Sequence, residues 1–128
     1  SELREALEKM IEETMQVSDV KIDYECQVDT LKFNQDEEDM IYRVVQESIT
    51  NAIRHGEAKY IEVRLWKENK WLNLVIKDNG IGCEEIHTGF GLIHIEERIK
   101  MLQGTVEYDG SDGFKVTARI PIRWGEKR

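Results

Sequence analysis

The stretch QESITNAIRH, Gln46–His55, combines an apolar helical pattern with polar side chains along one edge. The apolar positions in and before it recur with the period of a helix: Met40, Ile41, Val44, Val45, Ile49, Ala52 and Ile53. Glu47, Asn51 and Arg54 follow one another at spacings of four and three residues, so they share a stripe of that helix. This amphipathic helix is the element around which the rest of the chain is organised.

The polar stripe has two possible interpretations. At ~100° per residue, Glu47 and Asn51 lie only ~40° apart around the helix axis, so their head groups can converge on one ligand. A carboxylate and an amide oxygen in that arrangement suit a hydrated Mg2+ ion. Alternatively, the stripe is simply the solvated face of an amphipathic helix.

The bulk composition indicates one compact soluble domain. Of the 128 residues, 40% are hydrophobic and 34% are charged, which suits a single core. No apolar run approaches ~18 residues, and the N-terminus is acidic, so we expect neither a membrane span nor a secretory signal. The formal net charge of -8 opposes nonspecific contact with nucleic acid or an anionic membrane. An anionic ligand would need a local positive site or a metal.

The two cysteines favour a cytoplasmic location. Cys26 and Cys83 are far apart and form no metal-spaced cluster, as expected for a reduced cytosolic chain without zinc. Cys83 is interpreted as an inert small residue, with a reactive thiol as the alternative. Because the sequence starts at Ser1 and runs directly into a helical pattern, we expect it to be a piece of a longer protein.

Periodicity predicts helices and strands in a defined order along the chain. Residues 1–16 and 34–55 are predicted helices, the second opened by capping residues from Asn34 and ended by a left-handed Gly56. Alternating patterns predict strands at 20–26, 60–66 and 72–76, then a helix after Gly91 and two closing strands near 106–108 and 116–120. This order implies an α+β fold, a two-layer α/β sandwich in which a mixed sheet has helices on one face.

The hairpin strands also carry two tryptophans near their turn. Trp66 and Trp71 are predicted to lie on the sheet face opposite the aliphatic residues, as a cross-strand aromatic pair or as part of a docking surface.

Two glycine-containing segments follow the hairpin. In Asp78-Asn79-Gly80-Ile81-Gly82, Asn-Gly alone most often marks a turn. A strand-end carboxylate can also accept a hydrogen bond from an exocyclic amine such as that of adenine, while Gly80 and Gly82 permit close approach. Ile81 and Leu92 are candidates to cover the ring. Gly89 and Gly91, just ahead of a helix, can offer backbone N–H groups and the helix dipole to phosphate oxygens.

Together these segments resemble the N box and the two glycine boxes of the Bergerat-fold (GHKL) ATP-binding superfamily, which includes sensor histidine kinases, Hsp90, gyrase B and MutL. The matching segments are residues 46–55, 78–82 and 89–104. Within the superfamily, residues 43–55, Gly89-Phe90-Gly91-Leu92 and Glu97-Arg98-Ile99 most resemble the catalytic domain of two-component kinases of the nitrate-sensor and DesK-like class.

The resemblance implies binding of ATP and Mg2+. Asn51 would ligate the Mg2+ that bridges the phosphates, and Glu47 would order its water shell or the incoming nucleophile. Asp78 would bind the adenine amine. Arg54 or His55 would add positive charge near the phosphates.

The resemblance also implies how glycines serve the nucleotide. Gly80 and Gly82 would shape the base pocket, and Gly89 and Gly91 would form the hinge of a short lid running roughly from Cys83 to Phe90. Two positions depart from the family pattern: His94 stands where a glycine is expected, and Phe114 replaces a threonine.

The phosphoacceptor is the remaining part of the resemblance. In the family it is a histidine on a separate dimerising hairpin, and none of His55, His87 or His94 has that setting. The resemblance thus implies a catalytic domain that transfers the γ-phosphate to a dimerisation and phosphoacceptor domain absent from this chain, with a response regulator downstream. Residues 1–16 would be the linking helix.

Two alternative functions fit part of this pattern. An anti-sigma factor with serine kinase activity shares these boxes and has about this length, but Glu97-Arg98-Ile99 and the first helix favour the histidine kinase. A binding module that has lost catalysis is opposed by the presence of both Glu47 and Asn51.

Overall fold

The computed structural model describes residues 2–28, 33–83 and 91–122. In chain order the elements of this part are α1 (Glu2–Val17), β1 (Lys21–Gln27), α2 (Gln35–Arg54), β2 (Tyr60–Glu68), β3 (Trp71–Asp78), α3 (Leu92–Met101), β4 (Thr105–Asp109) and β5 (Lys115–Pro121). Their types and order are those predicted from periodicity.

The strands form a mixed five-stranded sheet in the order β1-β2-β3-β5-β4. β1 pairs in parallel with β2, because α2 provides the crossover between them, and the other neighbours are antiparallel. The helix-facing positions of β2 are buried, namely Ile61, Val63 and Leu65. They alternate with partly exposed positions. The α+β sandwich with helices on one face of a mixed sheet is therefore confirmed.

The N-terminus of α2 is fixed by a capping box. The Asn34 side chain accepts a hydrogen bond from the Glu37 N–H at 2.9 Å, and the Glu37 carboxylate accepts one from the Asn34 N–H at 2.9 Å. The helix buries its apolar face against the sheet through Ile41, Val44, Val45, Ile49 and Ala52. Its polar stripe is left at the edge of this core.

The C-terminus of α2 ends differently from the prediction. The left-handed residue is Glu57, with φ of 51°, and not Gly56. Gly56 instead donates its N–H to the Asn51 carbonyl at 3.0 Å, and its own carbonyl accepts the Ile81 N–H at 2.8 Å. These bonds tie the end of α2 to the loop after β3.

The two hairpin tryptophans do not form a directly opposed pair. Trp66 lies across from Asn73, and Trp71 lies across from Glu68, because the hairpin register offsets the two rings by two residues. The Arg119 guanidinium lies 4.6 Å from the centre of the Trp71 ring, a cation–π contact.

Among the helices of the described ranges, none combines the length and the apolar character needed to cross a lipid bilayer.

Candidate functional site

A cleft lies where the end of α2, the end of β3 and the start of α3 meet. It is lined by Asn51, Ala52, His55, Gly56, Asp78, Gly82, Cys83, Leu92 and Phe114. Asn51 and Asp78, predicted to serve opposite ends of one ligand, therefore border the same cavity.

A shallower depression continues from this cleft along the polar stripe of α2. Its lining residues are Gln46, Glu47, Thr50, Asn51, Arg54, His55, Gly91 and His94. Asn51 and His55 border both spaces, which makes the cleft and the depression two ends of one elongated site. Glu47, Asn51 and Arg54, which share one stripe of α2, thus all border this depression.

Asp78 is the last residue of β3 and is only 5% exposed. Its Oδ1 accepts hydrogen bonds from the Gly80 N–H at 2.8 Å and from the Phe114 N–H at 3.1 Å. Two backbone donors therefore fix the orientation of the carboxylate. Both use Oδ1, so with respect to the described residues Oδ2 can still accept a hydrogen bond from a ligand amine.

Burial raises the pKa of Asp78 above its ordinary value of 3.8. The two backbone N–H groups and the positive charge of Lys77 act in the opposite direction, but desolvation is the larger effect. Desolvation thus disfavours the ionised form of this carboxylate, and a hydrogen bond from a ligand amine would stabilise that form.

The segment after Asp78 has both structural and site-forming parts. Asn79 Oδ1 accepts the N–H groups of Lys59 at 3.0 Å and Tyr60 at 2.9 Å, which anchors the start of β2. The glycine at 80 allows its backbone to approach the Gly56 carbonyl more closely than any Cβ would permit, and Gly82 lines the cleft.

Ile81 does not line the cleft, contrary to its predicted role as a cover for the base. Its side chain is 70% exposed and borders a separate depression that also contains Tyr108 and Gly110. The hydrogen bond from the Ile81 N–H to the Gly56 carbonyl fixes the backbone in this orientation. Leu92, in contrast, is buried and lines the cleft.

The start of α3 faces the polar stripe of α2 through a glycine. Gly91 is the N-cap residue and has a left-handed φ of 75°. A Cβ at this position would lie 3.4 Å from Glu47 Oε2 and 4.0 Å from Asn51 Oδ1, so the glycine keeps open the space above both side chains. Gly89, His87 and the predicted lid lie outside the described residues, apart from Cys83 at its start.

Two polar atoms at this rim are buried without a hydrogen-bond partner among the described residues: Glu47 Oε2 and Asn51 Nδ2. Such orphaned groups are costly unless a ligand or water satisfies them. Arg54 and His55 are exposed at the same rim. The rim therefore offers hydrogen-bond donors and acceptors that suit a polar, charged ligand.

The same residues fit a metal bound together with phosphates. The described residues contain no cluster of three His, Cys, Asp or Glu side chains able to hold a metal ion by themselves. Mg2+ usually takes only one or two protein ligands and completes its shell with water and substrate phosphates. Asn51 could supply one such protein ligand, because its amide oxygen suits the cation. Its amide N–H could donate to a phosphate oxygen.

Three residues at the site received no role from the sequence. Arg98 contacts Glu47, Phe114 both lines the cleft and donates its N–H to Asp78, and His94 lines the depression. His94 and Arg98 are four residues apart on α3, so their shared helix face was readable from spacing. The helix that this face meets was not.

A family profile matches most of the chain. The profile described as "Histidine kinase-, DNA gyrase B-, and HSP90-like ATPase" matches residues 36–123. Among curated proteins, an uncharacterised sensor-like histidine kinase of Chloroflexus aurantiacus is 34% identical over 106 residues, which cover 74% of this chain and 18% of that protein. DegS of Bacillus subtilis, a signal transduction histidine-protein kinase/phosphatase, is 31% identical over 111 residues, 80% of this chain and 29% of DegS.

The chain thus spans less than a third of the length of these relatives.

Solved structures share its fold at low sequence identity. The ATP binding domain of PrrB from Mycobacterium tuberculosis superposes with a TM-score of 0.76 at 19% identity, covering 91% of both chains. The catalytic domain of histidine kinase ThkA gives 0.74 at 18% identity, covering 94% of this chain and 90% of ThkA. On the extent of the profile match, this chain belongs to the histidine kinase-, DNA gyrase B- and HSP90-like ATPase family.

Proposed function

We propose that this domain binds Mg-ATP in the elongated site and transfers the γ-phosphate to a histidine on a separate dimerisation domain of the same kinase. One observation carries the proposal. Asn51 and Asp78 border one cavity, and at its rim Glu47 Oε2 and Asn51 Nδ2 are buried without a partner among the described residues. An adenine-to-phosphate ligand spanning the cleft and the depression accounts for both features.

In this proposal the cleft holds the base. Asp78 Oδ2 accepts a hydrogen bond from the exocyclic amine, while the backbone N–H groups of Gly80 and Phe114 hold Oδ1. Leu92 and Gly82 border the same space, one as an apolar contact and the other as backbone. A buried carboxylate of fixed orientation favours adenine over a base that presents a carbonyl there.

The depression holds the phosphates. Asn51 contributes its amide to the metal and a phosphate, Glu47 Oε2 orients a water of the metal shell or the incoming nucleophile, and Arg54 and His55 add positive charge. Gly91 places the N-terminus of α3 at the same end. As the resemblance implies, Gly89 and Gly91 would form the hinge of a lid over the phosphates. Bound Mg2+ neutralises phosphate charge, and the residues of this chain otherwise act by positioning.

The proposed partners are supported by the relatives, which include two histidine-protein kinase/phosphatases, DegS and UhpB of Salmonella typhimurium. The acceptor is a histidine of the dimerisation domain, and a response regulator receives the phosphate next. His55 and His94 border the site itself, which suits a role beside the nucleotide better than that of acceptor. We place the domain in the cytoplasm, with no nucleic-acid partner and no direct membrane contact.

The test is phosphorylation of an added dimerisation hairpin of the kinase by this chain and labelled ATP, with and without Mg2+. We expect Mg2+-dependent, acid-labile label on the hairpin, as for phosphohistidine. Acid-stable label on a serine of a partner protein would instead support an anti-sigma factor. Absence of ATP binding by calorimetry would reject the proposal altogether.

A further inference from the structure

An ion pair joins α2 to α3 at the edge of the site. Arg98 Nη1 donates to Glu47 Oε1 at 2.6 Å, across 51 residues of sequence. The Arg98 and Glu47 side chains are only 29% and 25% exposed. A short, charge-assisted hydrogen bond between partly buried groups restricts both side chains more than a solvent-exposed pair would.

The two oxygens of Glu47 have different surroundings. Oε1 is held by Arg98, whereas Oε2 is buried without a hydrogen-bond partner among the described residues. Oε2 lies on the side of Gly91, since a Cβ there would be 3.4 Å away. The carboxylate is thus anchored through one oxygen, and the other faces the rim where the phosphates are proposed to lie.

His94, the second side chain beside Glu47 Oε1 among the described residues, does not provide the same anchor. His94 Nδ1 is 3.8 Å from Glu47 Oε1, beyond hydrogen-bond distance, and its side chain is 60% exposed. Of these two side chains, Arg98 is therefore the closer to the carboxylate and the more buried.

We propose that Arg98 is a positioning residue, which holds Glu47 by Oε1 so that Oε2 is pre-oriented for phosphoryl transfer. This inference rests on the proposed function of the site. A glutamate has several rotatable bonds, and holding it in one geometry before the reaction is how a supporting residue raises the rate. Because Arg98 lies on the helix that follows the lid, it also joins the orientation of Glu47 to the position of α3.

The expected signature is a loss of rate without a loss of nucleotide binding. Asp78 and Asn51, the proposed contacts to the base and the metal, do not depend on Arg98 for their hydrogen bonds in the described structure. Arg98→Met and Arg98→Gln should therefore keep the dissociation constant for ADP within about 3-fold. Removal of a residue that orients a functional ligand typically lowers activity about 10–100-fold.

The experiment measures single-turnover phosphoryl transfer to the added hairpin at saturating Mg-ATP, with ADP affinity measured by calorimetry on the same proteins. Arg98→Lys keeps a cationic donor and should recover part of the rate lost in Arg98→Met. Lys100→Met is the matched control, because it makes the same kind of change at an exposed position of the same helix. It should transfer at the wild-type rate.

A double variant separates positioning from a direct role. If Arg98 acts through Glu47, then Glu47→Gln with Arg98→Met should be no slower than Glu47→Gln alone. A wild-type rate in Arg98→Gln or Arg98→Met, an equal loss in affinity and rate, or additive losses in the double variant would overturn the inference. Failure of the wild-type chain to bind ATP would instead reject the proposed function, so the two failures are distinguishable.

Discussion

Asp78 is a buried carboxylate that is unfavourable for the folded domain when nothing is bound. Its carboxylate is buried, and desolvation outweighs the backbone N–H groups that favour the charged form. Burial of a charge is unfavourable unless it is well hydrogen-bonded. A ligand amine that reaches Oδ2 would recover part of that cost, which is a physical reason for a buried carboxylate at the end of a cleft.

Asp78→Asn should separate binding from stability. The amide oxygen can still accept the Gly80 and Phe114 N–H groups, while the charge is lost. A hydrogen bond to a charged group contributes about 1.5–3 kcal/mol, so ATP affinity should fall about 10–100-fold. Calorimetry with ATP and GTP checks this, with selectivity for ATP expected to decrease. An equal loss for both nucleotides would contradict the adenine role.

The raised pKa of Asp78 also predicts a pH dependence. Because the pKa is higher in the folded than in the unfolded state, the folded state is destabilised as pH rises from about 3.8 through the folded pKa. At neutral pH, Asp78→Asn should thus be at least as stable as wild type in urea. The affinity advantage of wild type over Asp78→Asn for ADP should shrink as pH falls through the folded pKa. A constant advantage over that range would argue against an ionised Asp78 as the acceptor.

Asn51 is the second residue whose role can be tested alone. Asn51→Ala removes the amide proposed to contact metal and phosphate, together with an unpartnered buried Nδ2, so Mg-ATP binding should be lost while folding is retained. Asn73→Ala is a matched control, since Asn73 also has a buried Nδ2 without a partner among the described residues and does not line the site. Unchanged Mg-ATP affinity in Asn51→Ala would contradict the assignment.

At the scale of elements, the site depends on how α2 and α3 face each other. α2 supplies Glu47 and Asn51 from one stripe, Gly91 caps the N-terminus of α3, and α3 supplies Arg98 from its last turn. Gly91 meets two requirements at this contact: it adopts a left-handed backbone conformation, and it leaves open space above the polar stripe. Neither helix alone forms the rim.

Gly91→Ala should affect both stability and binding. An alanine with positive φ costs roughly 1–2 kcal/mol, and its Cβ would occupy the space beside Glu47 Oε2. We expect urea unfolding to show a loss of about that size and calorimetry to show weaker Mg-ATP binding. Lys100→Ala, at an exposed position of α3, should change neither by a comparable amount. Normal binding in Gly91→Ala would show that the open space is not required.

At the scale of the whole molecule, sheet order brings the site together. β3 is the central strand, between β2 and β5, so the end of β3 lies beside the residues that precede β5. This explains how the Phe114 N–H reaches Asp78. The end of α2 joins the same place through the hydrogen bond between Gly56 and Ile81.

Because the proposed ligand contacts three elements at once, its binding should stabilise the entire domain. A ligand that binds only the folded state adds about 2.7 kcal/mol at 100 times its dissociation constant. The melting temperature should therefore rise with Mg-ATP in wild type and remain unchanged in Asn51→Ala, as measured by thermal unfolding. No rise in wild type at saturating Mg-ATP would contradict binding to the folded domain.

Much of the fold and part of the site could be predicted from sequence. Helix and strand periods are local, so element types and order were correct, as was the cap at Asn34, where Glu37 is only three residues away. The stripe of Glu47 and Asn51 was equally local, since four residues on one helix determine it. The prediction that Gly56 is left-handed was wrong, since the residue with positive φ is Glu57, one position later.

By itself, the sequence determined which elements form, in what order, and which polar side chains share a helix edge, because neighbouring residues settle those features. Only the tertiary structure decided that Ile81 faces away from the cleft, that the Phe114 N–H holds Asp78 and that Arg98 holds Glu47. The last two contacts join residues 36 and 51 positions apart. The packing of whole elements brings such residues together, and no local pattern specifies which of them will meet.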